Sequence, residues 1–222
     1  MSETLLAISR SLSADVQTLS TISHNVANLN TPGYRGVRAI PQFETADIRT
    51  GMDQRDGGLA QTARTLDVAL RGTGFFVVER NGQALLMRGG SFRVDAEGML
   101  STPRGDRVQG DAGPISVPAG DIRIDALGDL WQGRQNLGRL RIVDVVDAGR
   151  LSPAGDGAYS YDGEVASFQG SVMQGSLEQA NVDPADETVR LMETTRHAES
   201  LQRAISIYDR AMDIGINRLG DN

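Results

Sequence analysis

Apolar residues recur at alternating steps of three and four near both ends of the chain, a spacing typical of helices that pack lengthwise on another helix. The stripe near the start consists of Leu5, Ile8, Leu12, Leu19, Ile22, Val26 and Leu29, with Asp15 as the only polar residue on it. The stripe near the end consists of Leu191, Ala198, Leu201, Ile205, Tyr208, Met212 and Leu219, with Thr194 and Gly215 as weak positions. Exposing such an apolar stripe to water is unfavourable, so each helix needs a partner helix to cover it. The partner comes from the other end of the chain, from neighbouring copies, or from both.

Start and stop signals place the two helices along the chain. The first is predicted from about Glu3 to about Leu29, roughly 40 Å long, and Pro32 with Gly33 ends it. The second is predicted from Pro184 to about Leu219, roughly 54 Å long. Asp183 is a good N-cap for it, and proline suits the first helical position.

The segment between the helices has the composition of short β-strands and turns. Of the 26 glycines, 19 lie between Gly72 and Gly175. The predicted strands are Phe75 to Val78, Leu85 to Met87, Phe92 to Val94, Ile115 to Val117, Ile122 to Ile124 and Leu140 to Val146. Asn81-Gly82 is a strong hairpin signal, and Asp95 to Gly98 and Gly128-Asp129 predict further turns. Many short strands at close spacing indicate an antiparallel β domain, either a small sandwich or an open barrel.

The predicted fold class is therefore α+β, with two terminal helices that pack as a coiled-coil-like stalk and a central antiparallel β domain. Residues 1–33 form the N-terminal helix, 34–71 an extended connector with short strands, 72–175 the β domain and 176–222 the C-terminal helix. The strand pattern loosens between residues 156 and 175.

Composition and charge exclude several classes of function. The net charge of −7 and the pI near 4.9 argue against binding to nucleic acid or to anionic lipid. All 22 basic residues are arginine, which suits paired contacts at subunit interfaces, although a codon bias explains the same fact. Cysteine is absent, so disulfides and thiolate metal sites are excluded. We expect no cleaved signal peptide and no membrane insertion, because no sufficiently long apolar run is present.

Candidate chemistry is sparse, and no catalytic residue, cofactor site or metal site is predicted. His24 and His197 lie on the two predicted helices without a second ligand at metal spacing, so we interpret them as surface or interface residues. The run Gly72-Thr73-Gly74-Phe75 lacks the lysine of a phosphate loop and opens a strand, which favours a tight turn. The acidic residues of the central segment lie in or beside turn signals, where aspartate commonly bonds its own backbone.

Four motifs in the chain resemble the flagellar axial proteins, the family of rod, hook and hook-associated subunits. Motif 1 is Ser-His-Asn-Val-Ala-Asn-Leu-Asn-Thr-Pro-Gly-Tyr-Arg at residues 23–35. Motif 2 is Leu-Asp-Val-Ala-Leu-Arg-Gly-Thr-Gly-Phe-Phe-Val-Val at residues 66–78. Motif 3 is Arg-Gly-Gly-Ser-Phe at residues 88–92 with Asp-Ala-Glu-Gly at residues 95–98, and motif 4 is Gly-Ser-Leu-Glu-Gln-Ala-Asn-Val-Asp-Pro at residues 175–184. Together the four motifs extend over nearly the whole chain in the family's order. The single β domain resembles that of a rod subunit more than that of a hook subunit, and among rod subunits the chain resembles a proximal one first and a distal one next.

The resemblance implies a structural protein that polymerises through its terminal helices into the hollow rod of the bacterial flagellum. It also implies export through the flagellar type III apparatus, a periplasmic position, and other copies and neighbouring rod proteins as partners. The expected assembly residues are Leu5, Ile8, Leu12, Leu19, Ile22, Asn25, Val26, Asn28, Leu29, Asn181, Leu191, Leu201, Ile205, Tyr208 and Met212. Two alternatives stay open: a distal rod or hook-type subunit, and a periplasmic binding or hydrolytic β domain that oligomerises through its helices.

Overall fold

A computed structural model describes residues 2–41 and 48–220, and these residues form two compact units. The helical unit contains the described residues of Met1–Ala27, Val37–Gly51 and Asp183–Asn222. The β unit contains Asn28–Gly36 and Met52–Val182. The α+β class is confirmed, while the predicted four-part division along the chain stays a prediction.

The helical unit is built from the two long helices and a two-stranded sheet. Helix α1 spans Ser2–Ala27 and helix α2 spans Pro184–Gly220, close to their predicted bounds, and the two helices pack against each other. The sheet consists of β1 (Val37–Pro41) and β2 (Ile48–Met52), and β1 contacts α1.

The start of α2 follows the predicted capping signals. An Asp183 side-chain oxygen accepts a hydrogen bond from the Ala185 backbone N–H at 2.8 Å, which satisfies one of the free donors of the first turn. Asp186 and Glu187 place negative charge beside the positive end of the helix dipole. This geometry confirms Asp183 as the N-cap of α2.

Seventeen strands, β3 to β19, form the sheets of the β unit. They are β3 (Leu59–Gln61), β4 (Val68–Arg71), β5 (Phe75–Arg80), β6 (Gln83–Met87), β7 (Arg93–Val94), β8 (Leu100–Ser101), β9 (Arg107–Gly110), β10 (Gly113–Pro114), β11 (Arg123–Ile124), β12 (Asp129–Gln132), β13 (Gln135–Arg139), β14 (Ile142–Val145), β15 (Ser152–Pro153), β16 (Ala158–Ser160), β17 (Val165–Ser167), β18 (Ser171–Gln174) and β19 (Ser176–Glu178).

One large sheet and three small ones hold these strands. The large sheet has the strand order β15-β16-β6-β5-β9-β8-β7. In addition, β10 pairs with β9, and β14 pairs with both β5 and β17. The small sheets are β11-β12-β13, β18-β4 and β19-β3. The ladders of these four sheets are antiparallel, as predicted.

Strand β5 is buried on both faces, which explains its unbroken apolar run. Phe76 and Val78 pack into the larger hydrophobic core, whereas Phe75 and Val77 point to the opposite face and pack into a smaller one. Successive side chains of a strand alternate between faces, so both must be apolar when both are covered. The core of the β unit thus lies on both sides of the central strand.

Turn chemistry in the β unit follows the sequence prediction. Asn81 and Gly82 have φ values of 52° and 79° and join β5 to β6, as a type I′ hairpin requires. The Asp95 carboxylate accepts hydrogen bonds from the backbone N–H groups of Glu97 and Met99 at 3.0 and 2.8 Å. Asp95 therefore organises its own loop, as predicted.

Two strand predictions need correction. Residues 115–117, predicted as a strand, form only an isolated bridge at Ser116. Pro114 and Pro118 flank this segment, and proline has no N–H to donate to a ladder. Conversely, the loose segment 156–175 contains β16, β17 and β18, which pair with β6, β14 and β4, all outside the segment.

Acid sensitivity of the β unit is expected from Asp106. Arg80 donates two hydrogen bonds of 2.8 Å to its carboxylate and thereby holds the pKa of Asp106 below its ordinary value. A carboxyl whose pKa is lower in the folded state stabilises the fold above about pH 4 and loses that contribution as the pH falls through the folded pKa. Asp106→Asn should be less stable at neutral pH and lose less stability on acidification.

Urea unfolding of the purified protein between about pH 7 and pH 3 checks this expectation. Asp121→Asn, at an exposed carboxylate, is the matched control and should follow the wild type. An Asp106→Asn variant with the acid dependence of the wild type would contradict the assignment.

Candidate functional sites: the helix seam and the charge cluster

The predicted assembly residues occupy three environments. Two of them, Ile22 and Asn25, are buried. Nine are half-buried: Ile8, Leu12, Leu19, Asn28, Leu29, Asn181, Leu201, Ile205 and Tyr208. Val26 and Leu191 are exposed by 49% and 44%, although they lie on the predicted stripes. The side chains of Leu5 and Met212 lie outside the described residues. Their common role in assembly stays a prediction.

A polar pair joins the two helices in the middle of the seam, which we define as the facing stripes of α1 and α2. The Asp15 carboxylate is largely buried, and both of its oxygens lie 2.9 Å from Nδ1 of His197. The residue that interrupts the first stripe therefore has its partner on the second helix. The two residues are 182 positions apart in the sequence, so no local pattern relates them.

A second contact fixes the register of the helices. The Asn25 side chain accepts a hydrogen bond from the Val37 N–H at 2.8 Å and donates one of 2.9 Å to the Val37 carbonyl. The next residue, Arg38, donates to buried Glu187 of α2 at 2.8 Å. Compared with this second contact, the contact of Asp15 with His197 lies ten residues nearer the start of α1 and ten residues further along α2. The helices are therefore antiparallel and in constant register.

Large aliphatic side chains stay exposed on both helices. On α1 these are Leu6, Val16 and Val26, and on α2 they are Val189, Leu191, Met192 and Ile207, with exposed fractions from 44% to 66%. The phenylalanines of the β unit, by contrast, include Phe75 and Phe76 at 0%. These side chains remain accessible on both helices for contacts with other molecules.

A buried charge cluster occupies the interior of the β unit. It consists of Arg35, Arg88 and Glu178, which are at most 2% exposed, and of the partly exposed Asp56. Nε of Arg88 donates to one oxygen of Glu178, and the other oxygen lies 3.9 Å from Arg35. Asp56 accepts hydrogen bonds from Arg35 at 2.9 Å and from Arg88 at 3.2 Å. The two arginines thus share two carboxylates.

The charge cluster brings the four motifs together. Arg35 ends motif 1, Arg88 begins motif 3 and Glu178 lies in motif 4. Motif 2 supplies backbone carbonyls: Arg88 donates to the oxygens of Leu70, at 3.1 Å, and of Gly74. Burial lowers the pKa of Arg88, and the neighbouring carboxylates act in the opposite direction. The motifs are therefore contiguous in space and enclose one set of ionic contacts.

Close backbone contacts at glycines join the same motifs. A Cβ on Gly33 of motif 1 would lie 2.4 Å from the Gly89 nitrogen of motif 3. A Cβ on Gly90 would lie 1.7 Å from the Val68 carbonyl oxygen of motif 2. The Gly90 carbonyl also accepts a hydrogen bond from the Val68 N–H at 2.8 Å. These glycines are required by the close approach of one backbone segment to another.

Gly90→Ala should destabilise the β unit by about 2 kcal/mol or more, because the added carbon overlaps backbone that cannot move without breaking the motif 2 contact. Thermal unfolding of the purified variant measures the loss. Gly58→Ala is the matched control, since the nearest atom there is the end of the Gln179 side chain at 3.3 Å. Equal melting temperatures for the two variants would contradict the packing argument.

Asn181 of motif 4 holds two other segments of the β unit. Its side-chain oxygen accepts a hydrogen bond from the Gly36 N–H at 2.7 Å. Its amide nitrogen donates to the carbonyls of Asp53 and Arg55 at 3.0 and 2.7 Å. The side chain thus orders chain segments within the subunit.

The β unit also carries a surface groove of about 510 Å³. Its lining includes Gln83, Tyr161 and the ion pair of Arg150 with Asp162. The two charged groups are 3.1 Å apart, and both side chains are exposed. Within residues 2–41 and 48–220, no group of three or more histidine or acidic side chains could hold a metal ion. None of the helices described there has the length and apolarity to span a membrane.

The helix pair and the ordered motifs correspond to known family patterns. The model of the flagella basal body rod protein matches residues 6–35, and that of the flagellar hook protein FlgE/F/G D1 domain matches residues 69–131. The model of the flagellar basal body rod FlgEFG protein C-terminal region matches residues 173–219. The chain belongs to the flagellar basal-body rod protein family.

Individual relatives point to one branch of this family. The chain is 32% identical to the flagellar basal-body rod protein FlgF of Escherichia coli K12, covering 91% of this chain and 94% of the relative. It is 27% identical to FlgF of Caulobacter vibrioides, covering 91% of each. It is 29% identical to the flagellar basal-body rod protein FlgG of Agrobacterium fabrum, covering 91% of this chain and 94% of the relative. The chain is therefore a FlgF-like rod protein.

Proposed function

We propose that this chain is a structural subunit of the flagellar basal-body rod and polymerises through its terminal helices into a hollow shaft that transmits torque. One observation carries the proposal: α1 and α2 pair with each other and still expose large aliphatic side chains. Helix–helix contacts between neighbouring subunits of an assembly would bury these side chains.

The proposed division of labour follows the segments predicted from the sequence. Residues 1–33 and 176–222 form the axial core, and residues 72–175 form the outer layer. The buried charge cluster has a supporting role, because it ties motifs 1 and 4, which adjoin the helices along the chain, to the β strands. Glu178 and Arg35 thus stabilise the subunit and do no chemistry.

The proposed partners are other copies of this chain, neighbouring rod proteins and the flagellar type III export apparatus. The proposed location is the periplasmic part of the rod, reached without cleavage of a signal peptide. The names of the relatives support the rod itself, and the exposed aliphatic residues of the helices support contacts between subunits.

Purified basal bodies test this proposal. Mass spectrometry should detect the chain in basal bodies of the producing organism, and electron microscopy should localise a tag on the β unit to the rod. A strain that lacks the chain should be non-motile, with rods that stop short. Intact rods that do not contain this chain would overturn the proposal, and the axial position of the tag would separate a proximal from a distal or hook-type subunit.

A further inference from the structure

Asp15 is a buried polar side chain of α1 that depends on the facing helix. Its side chain is 11% exposed, and both carboxylate oxygens lie 2.9 Å from Nδ1 of His197 on α2. Thr21 and Thr194 are also buried polar residues, but their hydroxyls donate to backbone carbonyls of their own helices at 2.8 Å. A shift of one helix along the other would preserve the threonine bonds and break the contact of Asp15.

A shift by one turn would leave the Asp15 carboxylate with a poorer partner. Paired helices can slip by three or four residues and keep roughly the same faces towards each other. A slip of four residues would bring Glu193 opposite Asp15 in one direction and Leu201 in the other. The first opposes two carboxylates, and the second places a carboxylate against an apolar side chain. A slip of three would bring Thr194 or Ser200, whose hydroxyls already donate within α2.

A shift by two turns is also unfavourable in both directions. A slip of seven residues would bring Ala204 opposite Asp15 in one direction, which offers no side-chain donor. In the other direction it would bring Arg190, a suitable partner for a carboxylate. That slip would carry the last residues of α1 beyond Pro184, where α2 begins, so nearly two turns of helix contact would be lost. The observed register therefore gives Asp15 a partner without loss of helix contact.

The same pair is a weak source of stability. Asp15 has lost most of its water, whereas the His197 side chain is 53% exposed and gains little by the contact. Apolar residues in place of a buried ionic pair are often neutral or stabilising, because the pair must first repay its desolvation. A polar residue within an apolar helix seam can nevertheless specify the register of the helices. The contact thus discriminates between registers more than it stabilises any of them.

We propose that Asp15 and His197 specify the register of α1 against α2, and that they do so at the expense of stability. Copies with different registers would present different surfaces to their neighbours, which a regular assembly of identical subunits does not accommodate. This consequence for assembly rests on the proposed rod function. The register itself is a property of the single chain.

Distances between spin labels test the proposal on the purified full chain. The chain has no cysteine, so Ser20→Cys and Ser206→Cys, at exposed positions of α1 and α2, provide unique sites for nitroxide labels. Slippage by one turn moves the two labels relative to each other by about 6 Å along the helix axes. Double electron–electron resonance measures the distance, and an excess of unlabelled protein removes distances between copies. The labelled chain with no further change should give one narrow distribution.

Removal of the pair should release the register without loss of stability. In the labelled chain, Asp15→Leu with His197→Leu should add a second distance, up to about 6 Å from the first, because slipped pairings no longer face a penalty. The melting temperature of this variant should equal or exceed that of the labelled chain, since two apolar side chains replace the pair.

Two single substitutions separate register from stability. His197→Leu alone should lower the melting temperature by about 5 °C, because it leaves the buried Asp15 carboxylate unpaired. Thr21→Val is the matched control, since it also removes a buried polar group of α1, but one that is bonded within its own helix. The control should keep the single narrow distance of the labelled chain.

Several results would overturn the inference. A single unshifted distance in the double leucine variant would show that the rest of the seam sets the register. A melting temperature of that variant below the value for the labelled chain would show that the pair stabilises the fold. A second distance in the Thr21→Val control, or a broad distribution in the labelled chain itself, would also contradict the proposal. None of these results bears on the rod function, which is judged separately from the basal bodies.

Discussion

Replacement of both Leu201 and Ile205 with aspartate should abolish incorporation into the rod and motility, while the β unit stays folded. Both residues are half-buried on the seam side of α2. Two unpaired carboxylates at such positions cost several times the free energy of an exposed substitution, on the order of 2 kcal/mol or more each. Swimming in soft agar and the rod content of purified basal bodies measure the effect.

The neighbouring exposed positions provide the matched control. Gln202→Asp with Ser206→Asp adds the same charge to the same two turns of α2 on solvent-facing residues. This variant should swim, and near-ultraviolet circular dichroism should show an unchanged β unit in both. If the Leu201 and Ile205 variant swims as well as the control, the seam has been assigned to the wrong side of α2.

Glu178→Ala should lower the free energy of unfolding of the β unit by about 3–5 kcal/mol. The substitution leaves buried Arg88 and Arg35 with Asp56 as the one side-chain carboxylate that pairs with them within residues 2–41 and 48–220. It also removes the acceptor of the Gly57 N–H, which lies 3.0 Å from Glu178. An uncompensated buried guanidinium is costly because it has lost both water and its counter-charge. Urea unfolding followed by tryptophan fluorescence gives the value.

Two further variants separate the charge from the volume of Glu178. Glu79→Ala removes an exposed carboxylate and should cost less than about 0.5 kcal/mol. Arg88→Met with Glu178→Leu removes both charges and should be more stable than Glu178→Ala, since a buried pair is often replaceable by apolar residues. A Glu178→Ala protein within about 1 kcal/mol of the wild type would show that the cluster is not an energetic centre of the fold.

Local patterns predicted the helices well, because the signals lie within a few residues of each other. Asp183 and Pro184 gave the start of α2, and the spacing of Leu201, Ile205 and Tyr208 identified three half-buried positions on it. Leu191 is an exception: it lies on the stripe and is exposed by 44%. Spacing gives the direction of a side chain but not how far the partner helix covers it.

The charge cluster could not be predicted in this way. Arg35, Arg88 and Glu178 are charged residues in polar or glycine-rich surroundings, which in a sequence is typical of a surface. Only the fold brings them together, over separations of 53 and 90 residues, and makes them almost fully buried. The one signal in the sequence is that each of these residues lies inside or at the boundary of a family motif, and a motif alone does not indicate which residues touch.

The pairing of β3 with β19 and of β4 with β18 bears on the speed of folding. Both ladders join strands more than a hundred residues apart in the sequence, and Glu178 arrives with the last of them. Contacts of such long range slow folding, because a large loop must close before any stabilisation is gained. We therefore expect a newly made chain to remain open for longer than a protein of local contacts, which would favour the proposed export by keeping the chain threadable before the β unit closes.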